Sequence, residues 1–317
     1  MSKENKGLFE SLVETSQTIT PTRRTMVKLL AYGGATVYGF TGNFVLKDRL
    51  PNFEVDEKRD RGRRYHQWRM ENTVWGMVID LAKCDGCVDL TSQGRPPRCT
   101  SACQEGHYAP VKGYGFEEGG TWQNPKDPQT VHEYIKVFEV KDNPWSEPYF
   151  FPRPCQQCID PPCVHVCPVQ AAWQRSGDRL TLVDQERCIG CRLCMAGCPY
   201  EVRFFHWEEN HRFENATEDS QIVKDFKMQM PFSIVKQKGV IAKCDFCGNQ
   251  FLGKLPHCVA SCHKGALYFG NLLENAVTNN HGETILVDET IAKRKGFRWK
   301  EEEGTRPRVF YLPANTR

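Results

Sequence analysis

Residues 1–22 are mostly polar, and an uncharged stretch then runs from Leu29 to Leu46 before Lys47. At about 18 residues it reaches the lower limit for a helix that crosses a bilayer. Gly33, Gly34, Gly39, Gly42, Thr36, Thr41 and Asn43 dilute it. Residues 55–72 are dense in charge and short of small apolar residues, the pattern of a solvated linker. Beyond them no segment is long and apolar enough to span a membrane; the apolar blocks are short. Between Cys167 and Cys188 the pattern predicts a helix start over Val169–Gln174, a turn at Ser176, Gly177 and Asp178, and a strand over Leu180–Val183.

Composition changes this picture in one respect. A chain of 317 residues is long enough for two compact domains, and a hydrophobic content of 39% argues against disorder over most of it. The 42 basic and 39 acidic residues leave a net charge of +3, so no basic footprint for nucleic acid is present and none is expected as a partner. Cysteine is the outlier. All sixteen cysteines fall in four stretches.

Thr22, Arg23, Arg24, Thr25, Met26, Val27 and Lys28 precede the uncharged stretch. A paired arginine before a modest apolar run resembles a bacterial or archaeal twin-arginine export signal, with Met26 and Val27 where that pattern has Phe and Leu. No Ala-x-Ala cleavage site follows, so residues 1–50 are expected to act as signal and possible anchor. The expected location is the extracytoplasmic (periplasmic) face of the cytoplasmic membrane, peripheral or tethered.

The first cysteine group is Cys84, Cys87, Cys99 and Cys103, spaced C-x2-C-x11-C-x3-C. The second is Cys155, Cys158, Cys163 and Cys167, spaced C-x2-C-x4-C-x3-C with Pro168 next. Cys188, Cys191, Cys194 and Cys198 form the third, spaced C-x2-C-x2-C-x3-C before Pro199. Cys244, Cys247, Cys258 and Cys262 form the fourth, spaced C-x2-C-x10-C-x3-C. The third group matches the bacterial ferredoxin run, in which three cysteines hold one [4Fe–4S] cluster and the fourth ligates another. A tight turn lets thiolates two residues apart reach neighbouring iron corners, and the last cysteine is expected to start a helix, with proline at its first turn.

Taken alone, the first and fourth groups fit a structural zinc site as well. Internal repetition favours iron–sulfur clusters: Asp80-Leu-Ala-Lys-Cys84-Asp-Gly-Cys87 parallels Asp184-Gln-Glu-Arg-Cys188-Ile-Gly-Cys191. Pro162-Cys163-Val-His-Val-Cys167 likewise parallels His257-Cys258-Val-Ala-Ser-Cys262 in the spacing of its cysteines. Eight disulfides are arithmetically possible in an exported chain. Bridging between such similar tight turns strains the bonds, and twin-arginine export carries proteins already folded and loaded.

The compact linker between the second and third groups makes them one unit and leaves the first and fourth to pair around it. Exchanging the last cysteine within each pair gives four ligand sets. Set one is Cys84, Cys87, Cys99 and Cys262; set two is Cys103, Cys244, Cys247 and Cys258. Set three is Cys155, Cys158, Cys163 and Cys198; set four is Cys167, Cys188, Cys191 and Cys194. A sequential pairing, first with second and third with fourth, stays open on spacing alone.

This layout resembles the iron–sulfur subunits of membrane-bound molybdopterin oxidoreductases of the dimethyl-sulfoxide-reductase and polysulfide- or tetrathionate-reductase type. Phe151-Pro-Arg-Pro-Cys155-Gln-Gln-Cys158-Ile-Asp-Pro-Pro-Cys163 and Cys198-Pro-Tyr-Glu-Val-Arg203-Phe look like its signatures. So do Trp75-Gly-Met-Val-Ile-Asp80 and Pro307-Arg-Val-Phe-Tyr-Leu-Pro313. The first group departs from the simplest pattern, which leaves Cys99 the least secure ligand. The resemblance implies the crossed ligand sets, a molybdopterin-type catalytic partner and a quinone- or haem-linked membrane anchor. Related subunits serve hydrogenases and multihaem cytochrome or quinone complexes.

The expected fold is α+β, with two ferredoxin-like domains, one nested within the other, long insertions and an N-terminal extension. Residues 74–115 plus 232–270 make the outer domain and 150–200 the inner one, after a charged linker at 51–73. Insertions cover 116–149 and 201–231, and a docking tail runs from 271 to 317. Four fully ligated [4Fe–4S] clusters leave no open position for substrate, so the expected role is non-catalytic one-electron relay. His165, Arg192, His257, His263 and Lys264 lie beside ligands and are candidates for tuning potentials. Trp122, Trp145, Trp207, Phe204, Phe205 and Trp299 either build partner interfaces or form local cores under the insertions. A zinc-stapled interaction protein and a self-sufficient enzyme are the readings from other classes.

Overall fold

A computed structural model describes residues 73–112, 131–141, 147–248 and 253–314. The export-type segment, the charged linker up to residue 72, Trp122 and Trp145 lie outside the described residues. No helix among the described residues is long and apolar enough to cross a membrane.

In chain order the elements begin with β1 (Trp75–Asp80), α1 (Val88–Thr91), α2 (Arg98–Gly106), β2 (Ile135–Val140) and β3 (Tyr149–Pro154). Then come α3 (Pro162–His165), β4 (Ala172–Gln174), β5 (Thr181–Val183), α4 (Leu193–Ala196) and β6 (Arg203–Phe205). α5 (Gln221–Gln229), β7 (Ile241–Lys243), α6 (His257–Ala260) and β8 (Leu267–Asn271) follow. β9 (Ala276–Thr278), β10 (Thr284–Leu286), α7 (Val287–Arg294) and β11 (Val309–Leu312) complete the set. This is a mixed α/β architecture.

One five-stranded sheet, in the order β10-β9-β8-β1-β11, organises it. Strand β1 runs antiparallel to β8 and parallel to β11. Because it is covered on both sides, β1 reads as a nearly continuous apolar run. The period of two divides its side chains. Met77 and Ile79 join Leu267, Phe269, Val309 and Tyr311 in the main core, which also holds Cys99, Cys103, Cys155 and Cys244. Val78 points the other way, into a smaller core with Tyr268, Val277, Val287 and Leu312. Three two-stranded pairs, β2–β3, β4–β5 and β6–β7, carry the chain between cysteine turns.

The structure corrects two expectations. No helix starts over Val169–Gln174: Gln170 adopts a left-handed φ of 52°, and the next residues form β4, paired with β5. Asp178 closes that hairpin, its Oδ1 accepting from Leu180 N at 3.1 Å and from Arg175 Nε at 3.0 Å. The helices expected to begin at each last cysteine lie ahead of it: α3, α4 and α6 are single turns that carry the third cysteine of their groups and end before the fourth. The turns of the second and third groups end at His165 and Ala196, and in the first group α2 carries both Cys99 and Cys103.

Residues 271–314 are not separate from the fold. They supply β9, β10, α7 and β11 to the central sheet and its cover. Arg308, fully buried, donates to the carbonyls of Gln157 at 2.5 Å, Asp178 at 3.0 Å and Arg179 at 2.7 Å. Likewise Phe204 and Trp299 pack on the main core, with Trp299 edge-on to Phe151 at 5.4 Å. Phe205 packs on the smaller core around Cys188 and Cys194, and Trp207 remains exposed.

Candidate metal centre

All four C-x2-C segments turn the same way. The residue just before the second cysteine is left-handed in each: Gly86 at 63°, Gln157 at 45°, Gly190 at 71° and Phe246 at 63°. Such turns direct successive backbone N–H groups to one side, as an anion-binding concavity requires. The Phe246 N–H points to Cys244 Sγ at 3.4 Å. Beyond the last cysteines, Ala172 N reaches Cys167 Sγ at 3.4 Å and Ala266 N reaches Cys262 Sγ at 3.3 Å.

The sequence repeat is also a structural one. Asp80 Oδ1 accepts from Ala82 N at 3.1 Å and its carbonyl from Cys84 N at 3.2 Å. Asp184 repeats both, from Glu186 N at 3.0 Å and Cys188 N at 3.1 Å. The Asp80 N–H donates to Ala266 O and the Asp184 N–H to Ala171 O, each at 2.8 Å. The start of the first group is thus tied to the end of the fourth as the start of the third is tied to the end of the second. Helix α2 packs on α6, and α3 on α4.

Gly190 shows how little slack these turns have. A Cβ there would meet the Gly239 carbonyl oxygen at 2.2 Å, and the φ is already left-handed. Gly190→Ala is expected to cost about 2–4 kcal/mol. Thermal unfolding of the variant checks this, and an unchanged midpoint would contradict it.

Every cysteine is a free thiol, so the disulfide reading is not realised. Ten of the sixteen are buried and Cys191 alone is exposed. Burial, then the neighbouring thiols Cys84, Cys258, Cys87 and Cys262, pushes Cys99 well up. Burial, then Cys247, Cys258 and Cys244, does the same to Cys103. Cys158 is pushed up to about 12 by burial first, with Cys155, Cys163 and Cys198 adding to it. Cys194 is raised by burial and by Cys163 and Cys188, against Arg203. Cys167 packs with Cys188 and Cys194 in one small core. Thiols crowded and buried in this way become thiolates only against a cation, which a metal core supplies.

The thiol spacing bears on the zinc reading. Tetrahedral Zn–S bonds of about 2.3 Å put neighbouring sulfurs roughly 3.8 Å apart. Among the described residues the one group of three His, Cys, Asp or Glu ligand atoms within 4.8 Å of one another is Asp85, Cys87 and His263. No three of the described thiols are that close, a wider spacing than one tetrahedral zinc takes. At the exception the contacts form a chain rather than a cage: His263 Nδ1 lies 3.8 Å from Cys87 Sγ and its Nε2 3.0 Å from Asp85 Oδ2.

Of the candidate tuning residues, His263 brings its side chain to sulfur and His257 bonds Cys247 through its backbone. Arg192 stacks on Phe205 and Trp207, with its guanidinium carbon 4.8 Å from the Trp207 ring centre. Lys264 reaches Asp85 at 3.7 Å, and His257 packs edge-on to His107 at 5.8 Å. The stronger contacts come from residues that the cysteine spacing does not single out. Arg203 Nη2 donates to Cys163 Sγ at 2.8 Å, Lys243 Nζ to Cys155 Sγ at 3.7 Å, and His107 Nδ1 lies 3.6 Å from Cys103 Sγ. Arg203 and Lys243 each occupy an apolar strand segment, Val202–Phe205 and Val240–Ala242 followed by Lys243, a position where a solvated cation is out of place.

Repeated cysteine turns with N–H groups aimed at sulfur, around free thiols spaced too widely for one ion, define an iron–sulfur protein. A family model for the 4Fe-4S dicluster domain matches residues 146–216. The chain is 34% identical to a selenate reductase subunit of Mesobacillus selenatarsenatis, over 84% of each chain. It is 31% identical to the iron-sulfur cluster-binding subunit of menaquinone reductase of Nitratidesulfovibrio vulgaris, covering 75% of this chain and 88% of the relative. A tetrathionate reductase subunit of Salmonella typhimurium is 30% identical over 82% of this chain and 78% of its own. The chain belongs to this family of iron–sulfur electron-transfer subunits of oxidoreductase complexes.

Proposed function

We propose that this chain holds four [4Fe–4S] clusters in a row and passes single electrons between a molybdopterin-type catalytic subunit and a quinone- or haem-linked membrane anchor. The ligand sets are Cys84, Cys87, Cys99 and Cys262; Cys103, Cys244, Cys247 and Cys258; Cys155, Cys158, Cys163 and Cys198; and Cys167, Cys188, Cys191 and Cys194. They belong to two nested ferredoxin-like units, 74–115 with 232–270 around 150–200. The twin-arginine-like start favours the extracytoplasmic face of the membrane.

The observation that carries this reading is the shared packing of thiols from successive sets, Cys99, Cys258, Cys244 and Cys155 in one core and Cys163 with Cys194 in another, close enough to act on one another's charge. Cys258 acts on Cys99, Cys155 on Cys244, and Cys163 on Cys194. These three links order the sets one, two, three, four, so no electron needs to cross more than one interval at a time. The names of the relatives, reductases of selenate, menaquinone and tetrathionate, support the kind of partner. Clusters of this type supply one-electron exchange without a substrate position. The chain's own residues fix the spacing, exclude water from the inner sets and aim N–H groups at sulfur.

Electron paramagnetic resonance of the fully reduced complex tests the row. Signals broadened by coupling between adjacent clusters are expected; sharp, independent signals would overturn it.

A further inference from the structure

We propose that Arg203 and Lys243 are a built-in pair of counter-charges that makes the cluster of set three the high-potential station of the relay. The inference rests on the relay reading and assigns it a residue-level control. Arg203 and Lys243 are register partners across β6 and β7, so one hairpin delivers both cations to the same place. Each is only 4% exposed. The thiols they reach, Cys163 and Cys155, belong to the same ligand set. Arg203 also acts on Cys194 of set four and Lys243 on Cys244 of set two, so set three is where the two cations converge, both acting on Cys163. Among the described residues neither cation has a carboxylate within 4 Å.

Arg203 Nη1 has no hydrogen-bond partner, and Lys243 Nζ is otherwise held by Cys244 O at 2.5 Å. A buried cation without a counter-ion costs several kcal/mol unless negative charge stands beside it. The negative charge at hand is on the thiolates, and it grows by one unit each time the core they hold is reduced. Reduction adds an electron and transfers no atom, so a fixed neighbouring cation stabilises the reduced state and raises the potential. Set two meets a mixed environment, with Lys243 acting on Cys244 against a carboxylate. The Asp245 carboxylate accepts from Cys247 N at 2.9 Å and faces His107 Nε2 at 3.1 Å, and it acts on Cys103, Cys244 and Cys247. Arg153 and Arg308 also lie near set three, but Arg153 has Glu201 at 3.8 Å and Arg308 is engaged by three carbonyls.

Redox titration of the intact complex, followed by electron paramagnetic resonance, tests this with Arg203→Gln, Lys243→Gln and the charge-keeping Arg203→Lys and Lys243→Arg. Each glutamine variant is expected to lower the midpoint of the same, highest-potential transition by at least a tenfold change in the reduced-to-oxidised ratio, about 59 mV for one electron. The charge-keeping variants should move it by a small fraction of that. Full iron content with unmoved midpoints, or the two glutamine variants moving different transitions, would overturn the proposal while leaving the relay intact. A wild-type complex without iron would instead defeat the relay itself. If Arg203→Gln does not assemble, the Lys243 pair decides: a lowered midpoint in Lys243→Gln alone supports the assignment, and none in either variant overturns it.

Discussion

Cys244→Ala is expected to empty one station and stop electrons in the middle of the row. Cys244 is fully enclosed, accepts from the Phe246 N–H, and stands between Cys258 of its own set and Cys155 of the next. No spare thiol is available, because each of the other fifteen has a place in a set. Iron analysis of the purified complex should show about four atoms fewer per chain. Turnover that needs passage from one partner to the other should fall to background. Reduction of the clusters on either side by small donors should survive. Unimpaired turnover would show that electrons do not pass through set two.

The second large effect comes from a residue far from any cysteine in sequence. Arg308→Ala leaves the carbonyls of Gln157, Asp178 and Arg179 without donors, in a site that water barely reaches. Orphaned buried acceptors cost about 1–3 kcal/mol apiece, so a loss of roughly 3–5 kcal/mol is expected. The loss concentrates at the second cysteine turn, since Gln157 is its left-handed residue and also bonds Cys244 O and Thr181 N, each at 2.9 Å. Thermal unfolding and iron retention measure it. A variant as stable as the parent, with all its iron, would show that Arg308 is not the pin that joins β11 to the cysteine core.

Much of the site was legible because its chemistry constrains the chain locally. A C-x2-C turn needs a left-handed residue at its third position, and Gly86 and Gly190 announce it. Gln157 and Phe246 are held in the same conformation by tertiary contacts, which no local pattern reveals. The Asp80 and Asp184 repeats could be matched in sequence because each carboxylate bonds the N–H two residues on, a contact fixed by spacing.

What could not be read depends on distant partners. Ala172–Gln174 is too short to show a period, and only the pairing with Thr181–Val183 makes it a strand. The C-terminal strand joins β1 across more than two hundred residues, so nothing local marks it as central rather than peripheral. The apolar neighbours of Arg203 and Lys243 hint at burial, but nothing in sequence says what the two cations face. Their burial follows from the hairpin register that turns both toward sulfur.

Joint assay of iron and acid-labile sulfide on anaerobically prepared complex addresses the central claim most directly. Four cubane cores require about sixteen of each per chain. A folded, colourless chain with neither, or one carrying four zinc ions in their place, would contradict it.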